Sequence, residues 1–275
     1  MPTGLHLLAQ CGRANHADVE FDAVEAVVRV LEDDDNFNAG KGSVLTYDGK
    51  VELDASIMEG SGKKAGAVGG VCVIKNPITA ARAVMERSKH VLLVGRGAEV
   101  FATKIGLEIV DPAYFWTEPR WKQIQEVWRK EAEAAKAADE QQARVPLRGS
   151  EPWSTVGAVA LDADGNLAAA TSTGGSPGKP KGRVGDSPFV GAGLFADNRS
   201  AATSTTGHGE RIIPLVWAKA VADFVERGHA APQAATMGLA LLDRLDAKGG
   251  IIVLDCQGNI GVAWNTPAMA FAAWP

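Results

Sequence analysis

Cysteine is scarce in this sequence. Cys11, Cys72 and Cys256 stand far apart in 275 residues, with no Cys-x-x-Cys pair. An odd, dispersed set makes no disulfide framework. A reducing compartment is expected, with each thiol acting as a small buried hydrophobe. Histidine is thin too: His6, His16, His90, His208 and His229 fall at no metal-ligand spacing. A basic surplus is missing, since 28 Lys and Arg face 33 Asp and Glu for a net charge of −5. That excludes a general binder of nucleic acid or anionic membrane. No apolar run approaches the roughly 18 residues that cross a bilayer. The opening MPTGLHLLAQCG has no basic n-region and only a short apolar stretch, so it does not read as a signal peptide. The expectation is a cytoplasmic chain. No solenoid-type repeat is present.

What is there is ordinary globular composition, 46% hydrophobic and 22% charged. The length fits one large domain or two small ones, enough to bury a core without covalent staples. Three segments read as β-hairpins: residues 43–58 turning at Asp48-Gly49, 156–172 at Asp164-Gly165, and 251–265 at Gln257-Gly258. The arms of the second and third are apolar on both faces, which fits strands buried on both sides. Sheets stacked on each other with helices outside would bury them so. Helices are predicted over 20–33, with Phe21, Val24, Val28 and Leu31 at helical spacing, and over 77–88, opened by Asn76 and Pro77. Others are predicted over 118–142, 210–227 and 231–246. Trp116, Trp121 and Trp128 read as a packing face, with a contact between protomers as the alternative. Gly95-Arg-Gly97 lacks the third glycine of a dinucleotide loop and is set aside. From about Glu131 to Ser154, alanine and charge replace apolar anchors, then Pro146, Gly149 and Pro152 follow. This reads as a fraying helix and an exposed linker. It runs straight into the buried strand at Thr155, as expected of a chain that is cut there.

The polar residues after Thr155 carry the chemistry. Thr171-Ser-Thr-Gly-Gly175, Gly182-Arg-Val-Gly-Asp-Ser-Pro188 and Ser204-Thr-Thr-Gly-His-Gly-Glu210 are rich in Thr, Gly, Arg and Asp. A glycine-rich turn into a helix exposes backbone N–H groups to a developing oxyanion. Arg183 and Asp186, three residues apart, can bind a zwitterion, guanidinium to carboxylate and carboxylate to ammonium. The pattern points to an amino-acid-like ligand with hydroxyls at the centre of its site.

The stretches DAVEAVVRVLEDDDNFNAGKGSVL (22–45), ELDASIMEG (52–60), NPITAARAVME (76–86), TVGAVALDADGNLAAATSTGG (155–175), GRVGDSP and STTGHGE occur in this order over nearly the whole chain. By them the chain resembles the isoaspartyl peptidase/L-asparaginase family, the plant-type asparaginases among the N-terminal nucleophile hydrolases. The resemblance implies an α+β fold, a four-layer αββα sandwich. It implies a precursor that cleaves itself between Ser154 and Thr155, leaving a 1–154 α part and a 155–275 β part of one asparaginase-like domain. Thr155 then supplies both the nucleophilic hydroxyl and, through its freed α-amine, the base. A lone threonine hydroxyl is a poor nucleophile, and an α-amine titrates near roughly 7.7–8.0, where a base works best. The resemblance makes Thr173 the support of the nucleophile and Thr206 with Gly207 the oxyanion hole. Arg183 and Asp186 bind the substrate's α-carboxylate and α-amine, with Gly207 and Gly209 lining the pocket, and Asn38 lies beside the nucleophile. His208 is placed behind the site as a satisfied histidine. Carbonyls of Asp35, Phe37, Ala39 and Lys41 resemble the family's structural sodium loop; no cofactor serves catalysis. The implied partner is a second cleaved αβ unit in a dimer.

Two departures shape the expectation. The family's opening strand ends in His-Gly-Gly-Ala-Gly, and this chain has no such segment, so the fold is expected to lack its first strand. The residue before the nucleophile is Ser154 where the family has glycine. Hydrolysis of L-asparagine and β-aspartyl dipeptides through a β-aspartyl–Thr155 ester is the function implied. A non-catalytic homologue that binds aspartate-like ligands and a glycosylasparaginase are the alternatives.

Overall fold

A computed structural model describes residues 5–10, 19–137 and 155–274. Its strands are β1 (Leu5–Gln10), β2 (Leu53–Glu59), β3 (Ala65–Val71), β4 (Leu92–Val94), β5 (Val156–Leu161), β6 (Leu167–Thr173), β7 (Leu194–Ala196), β8 (Ala201–Gly207), β9 (Gly249–Asp255), β10 (Ile260–Trp264) and β11 (Ala270–Trp274). They form a seven-stranded sheet in the order β11-β1-β5-β6-β2-β3-β4 and a four-stranded sheet in the order β10-β9-β8-β7.

The expected loss of the first strand is corrected here. Leu5–Gln10 runs parallel to both β11 and β5, with His6 opposite Gly157 and Phe271. A strand's place in a sheet depends on backbone pairing, so a short apolar run serves without the His-Gly-Gly sequence.

The hairpins at 156–172 and 251–265 form as read, β5 with β6 and β9 with β10, around Gly165 and Gly258 at φ +85° and +84°. The 43–58 hairpin does not. Its turn exists, since the Thr46 N–H donates to Lys50 O at 2.7 Å. The leading arm, however, spends its backbone groups elsewhere. The Tyr47 N–H donates to Lys179 O, and Tyr47 O accepts Trp128 Nε1–H. The second arm, β2, pairs instead with β3 and β6.

Alternation along the central strands builds two cores. Val159, Leu161, Leu167 and Ala169 enter the core shared with Ile252 and Leu254. Val156, Ala158, Ala160, Ala168 and Ala170 enter the other, with Phe21, Val24, Val28 and Leu31 of α1 (Val19–Asp33). A two-residue period places successive side chains on opposite faces. The small alanines let helices approach closely. Helices α1 and α2 (Pro77–Arg87) rest on the seven-stranded sheet, and β5 and β6 meet β8. The sheets come so close that a β-carbon on Gly157 would lie 2.0 Å from Ser204 Oγ.

Other helices refine the sequence reading. Asn76 does not cap α2 with its side chain, which donates to Asp33 Oδ1; Glu32 Oε1 takes the Ile78 N–H instead. Gly95, set aside before, opens α3 (Gly95–Lys104) directly after β4. Helix α4 (Glu118–Ala137) continues past Glu131, and residues 138–154 of the expected linker lie outside the described residues. Trp121 and Trp128 meet edge to face, but Trp116 is half exposed and off that packing face. The expected 210–227 helix is two, α5 (Gly209–Leu215) and α6 (Trp217–Glu226), parted at Val216 with φ +51°. Pro214 removes a backbone donor there. The break lets Trp217 bury fully, its Nε1–H donating to Gly238 O of α7 (Ala231–Asp243). Both α6 and α7 pack on the four-stranded sheet. Cys256 is exposed at the β9–β10 turn rather than buried, and Cys72 is half-buried.

Candidate active site

Antiparallel pairing of β5 with β6 sets Val156 opposite Ser172, which brings Thr155 to Thr173. Thr155 is buried, and its Oγ1 lies 3.2 Å from Thr173 Oγ1. Thr173 Oγ1 also accepts the Gly175 N–H at 3.0 Å. Asn38 braces the same loop. Its Nδ2 donates to Gly175 O at 2.7 Å, its carbonyl accepts the Gly174 N–H, and its Oδ1 accepts the Val44 N–H. Asn38 thus acts on the loop behind the hydroxyl pair. A β-carbon on Gly174 would sit 2.5 Å from Asn38 Oδ1, so this approach requires glycine. Ser154 lies outside the described residues.

Thr206 and Gly207 end β8. Thr206 Oγ1 is buried with no hydrogen-bond partner among the described residues. Gly207 has φ +144°, and a β-carbon there would lie 2.3 Å from Lys248 O. His208 is tied to the same backbone: its N–H donates to Lys248 O, and its Nδ1 accepts the Lys248 N–H at 2.9 Å. Burial holds its imidazole below the usual range. These contacts tie the end of β8 to Lys248.

Arg183 and Asp186 converge on one point. A β-carbon added to Gly209 would lie 2.9 Å from Arg183 Nη2 and 3.0 Å from Asp186 Oδ1. Arg183 donates from Nε to Glu210 Oε1 at 2.9 Å, and its Nη2 pairs with the same oxygen at 2.8 Å. Asp186 is buried and accepts the Thr205 hydroxyl at 3.2 Å. Burial pushes its carboxyl up to about 6, against the pull of Arg183 and Thr205. The pair is therefore no surface ion pair. It is a cation and a carboxyl that close together over Gly209, groups whose chemistry pairs with a carboxylate and an ammonium respectively.

The 35–41 turn winds tightly. A β-carbon on Gly42 would lie 2.5 Å from Asp35 O and 2.2 Å from Phe37 O, so these carbonyls converge. Ala39 O accepts the Gly42 N–H. Hard cations favour such oxygens. Among the described residues, no three His, Cys, Asp or Glu side chains group as a metal site.

A family model described as Asparaginase matches residues 4–274. The chain belongs to the asparaginase family. It is 47% identical to an isoaspartyl peptidase of Escherichia coli (strain K12), over 92% of this chain and 78% of that one. It is 46% identical to an isoaspartyl peptidase/L-asparaginase of Rattus norvegicus, over 92% and 73%. A plant-type L-asparaginase of Pyrococcus horikoshii is 46% identical over 91% of this chain and 82% of its own. Among the described residues of this asparaginase-family chain, no helix is long and apolar enough to cross a membrane.

Two residues near the site escaped the sequence reading. Glu210, inside the quoted STTGHGE, was given no role, yet it occupies Arg183. Glu32 is fully buried; its Oε1 accepts the Ser172 hydroxyl at 2.6 Å beside Thr173, and burial pushes its carboxyl up to about 8. Its place one turn after Val28 on the core stripe of α1 was the available signal.

Proposed function

We propose that this chain is a self-cleaving threonine amidohydrolase acting on L-asparagine and β-aspartyl dipeptides, built as a four-layer αββα sandwich of the N-terminal nucleophile hydrolase type. Cleavage between Ser154 and Thr155 divides residues 1–154 from 155–275 and frees the Thr155 α-amine. Two cleaved units pair into the active dimer, in the cytoplasm. The buried Thr155–Thr173 hydroxyl pair carries the reading, because it holds the nucleophilic hydroxyl in place on the residue whose own α-amine, once freed, is the base. The relatives' names, isoaspartyl peptidase and L-asparaginase, support the substrate class.

The steps follow from the arrangement. Asp186 takes the substrate ammonium, and the substrate carboxylate displaces Glu210 from Arg183. The Thr155 amine removes the hydroxyl proton, and Oγ1 attacks the side-chain amide carbon. The Thr173 hydroxyl turns to donate to Thr155 Oγ1. Charge on the carbonyl oxygen meets Thr206 Oγ1 and the Gly207 N–H. The C–N bond breaks, the leaving amine takes the proton, and a β-aspartyl ester remains on Thr155. Water, deprotonated by the same amine, hydrolyses that ester to L-aspartate. The carbonyls of Asp35 and Phe37, with those of Ala39 and Lys41, would hold a sodium ion that stiffens the turn carrying Asn38 and takes no part in the chemistry.

Intact mass of the purified protein tests the first step. Fragments 1–154 and 155–275 are expected, with β-aspartyl dipeptide hydrolysis, and a Thr155→Ala variant should remain one chain without turnover. A wild type that stays whole, or that hydrolyses no faster than Thr155→Ala, overturns the proposal.

A further inference from the structure

Glu52 and Asp54 lie in the ELDASIMEG stretch, which the chemistry above does not use. Asp54, on β2, is fully buried; its Oδ1 accepts the Gly70 N–H at 2.8 Å and its Oδ2 the Gly185 N–H at 3.4 Å. Glu52 Oε2 accepts the Gly182 N–H at 2.8 Å. Lys179 has a side chain 1% exposed, and burial pulls its amine below the usual lysine range; its Nζ donates to Glu52 O at 2.8 Å and lies 4.0 Å from Asp54 Oδ2. These contacts grip the backbone on both flanks of Arg183: Gly182 just before it, and Gly185 between it and Asp186. The guanidinium is packed into the same cradle. Arg183 Nη1 would lie 2.9 Å from a β-carbon on Gly185, and it converges with Lys179 Nζ on Gly175, at 3.2 and 3.0 Å from a β-carbon there.

Burying a lysine and an aspartate carries a desolvation cost that well-packed apolar residues would avoid. Stability alone therefore does not call for this cluster. Position does. The loop from 176 to 185 contains no regular element, so these side chains fix where the guanidinium sits.

We propose that Glu52, Asp54 and Lys179 are positioning residues that set the carboxylate-binding end of the Arg183–Asp186 clamp. The inference rests on the clamp reading under the proposed function. Hydrogen bonds to ionised groups count for more than neutral ones, so the loss of one should register in ligand affinity rather than in the bond-breaking step.

The test pairs L-aspartate binding by titration calorimetry with steady-state kinetics on a β-aspartyl dipeptide. Asp54→Asn cannot accept both N–H bonds; it should weaken aspartate and raise KM about tenfold, with kcat within about threefold. Glu52→Ala should raise KM about three- to fivefold. Glu52→Gln, which keeps an acceptor for Gly182, should stay within about twofold. If Asp54→Asn does not fold, the Glu52 pair decides alone. Unchanged aspartate affinity in the variants, or kcat falling as far as kcat/KM, overturns the positioning role. A wild type that binds no L-aspartate overturns the clamp reading itself.

Discussion

The two ends of the site are made of different material. At Thr155, Thr173 and Thr206 the groups are hydroxyls on strand ends, placed by sheet register and almost free of charge. At Arg183, Asp186 and Glu210 they are charged side chains, the first two on a loop whose backbone buried carboxylates hold and the third in the first turn of α5. Strand register leaves a hydroxyl little freedom, which suits a group that must meet a reacting carbon at van der Waals distance. A charged clamp tolerates more play, because its interactions fall off slowly with distance. Damage at the first end should therefore appear in kcat and maturation, and damage at the second in KM.

The sharpest division comes from Thr206→Val. It removes a buried hydroxyl that has no partner among the described residues while keeping its shape. Activity should fall about 10²–10³-fold in kcat, while thermal stability holds or rises, because an unsatisfied buried polar group is costly. Equal loss of stability would make Thr206 a packing residue. At the charged end, protonating Asp186 removes the ammonium partner. The acid limb of kcat/KM should fall near pH 6, with KM rising below it, and Asp186→Asn should erase that limb while weakening binding. A limb that survives in the variant assigns the titration elsewhere.

Glu32 tests the fold behind the nucleophile. Its folded value, about 8, lies above its ordinary 4.5. The folded chain thus holds a proton that the unfolded chain releases. This contribution to stability is complete below pH 4.5 and is lost as pH rises to about 8. Glu32→Gln should flatten the fall in Tm between pH 5 and 8 and melt a few degrees higher than wild type at pH 8. The smallest effect belongs to Glu210→Gln. Its carboxylate is 68% exposed, so its pair with Arg183 is worth about 0–1 kcal/mol. Releasing Arg183 should lower KM about two- to threefold, read in steady-state assays at low salt.

Much of this was legible in the residues. Apolar spacing placed α1, Asp-Gly placed the β5–β6 turn, and the TVGAVAL and TSTGG motifs named the two threonines that meet, Thr155 and Thr173. Local pattern was enough there because turn chemistry and helical period act within a few residues. The 43–58 segment shows the limit. It carries the same Asp-Gly signal, but its backbone partners, Lys179 and Trp128, lie more than eighty residues away. The first strand was also missed, because pairing with β5 and β11 needs no motif.

Sequence alone therefore supplied the identities and order of the residues on which the proposed function rests: Thr155 with Thr173 and Thr206, the Arg183–Asp186 pair, and glycines where side chains would collide. Only the tertiary structure decided their environment. It buried Asp186 and Glu32 enough to raise their carboxyls, left Thr206 Oγ1 without a partner among the described residues, and set Lys179 beside Asp54 beneath Arg183. Burial and the meeting of charges are sums over distant segments, and the neighbours of a residue in sequence do not contain them.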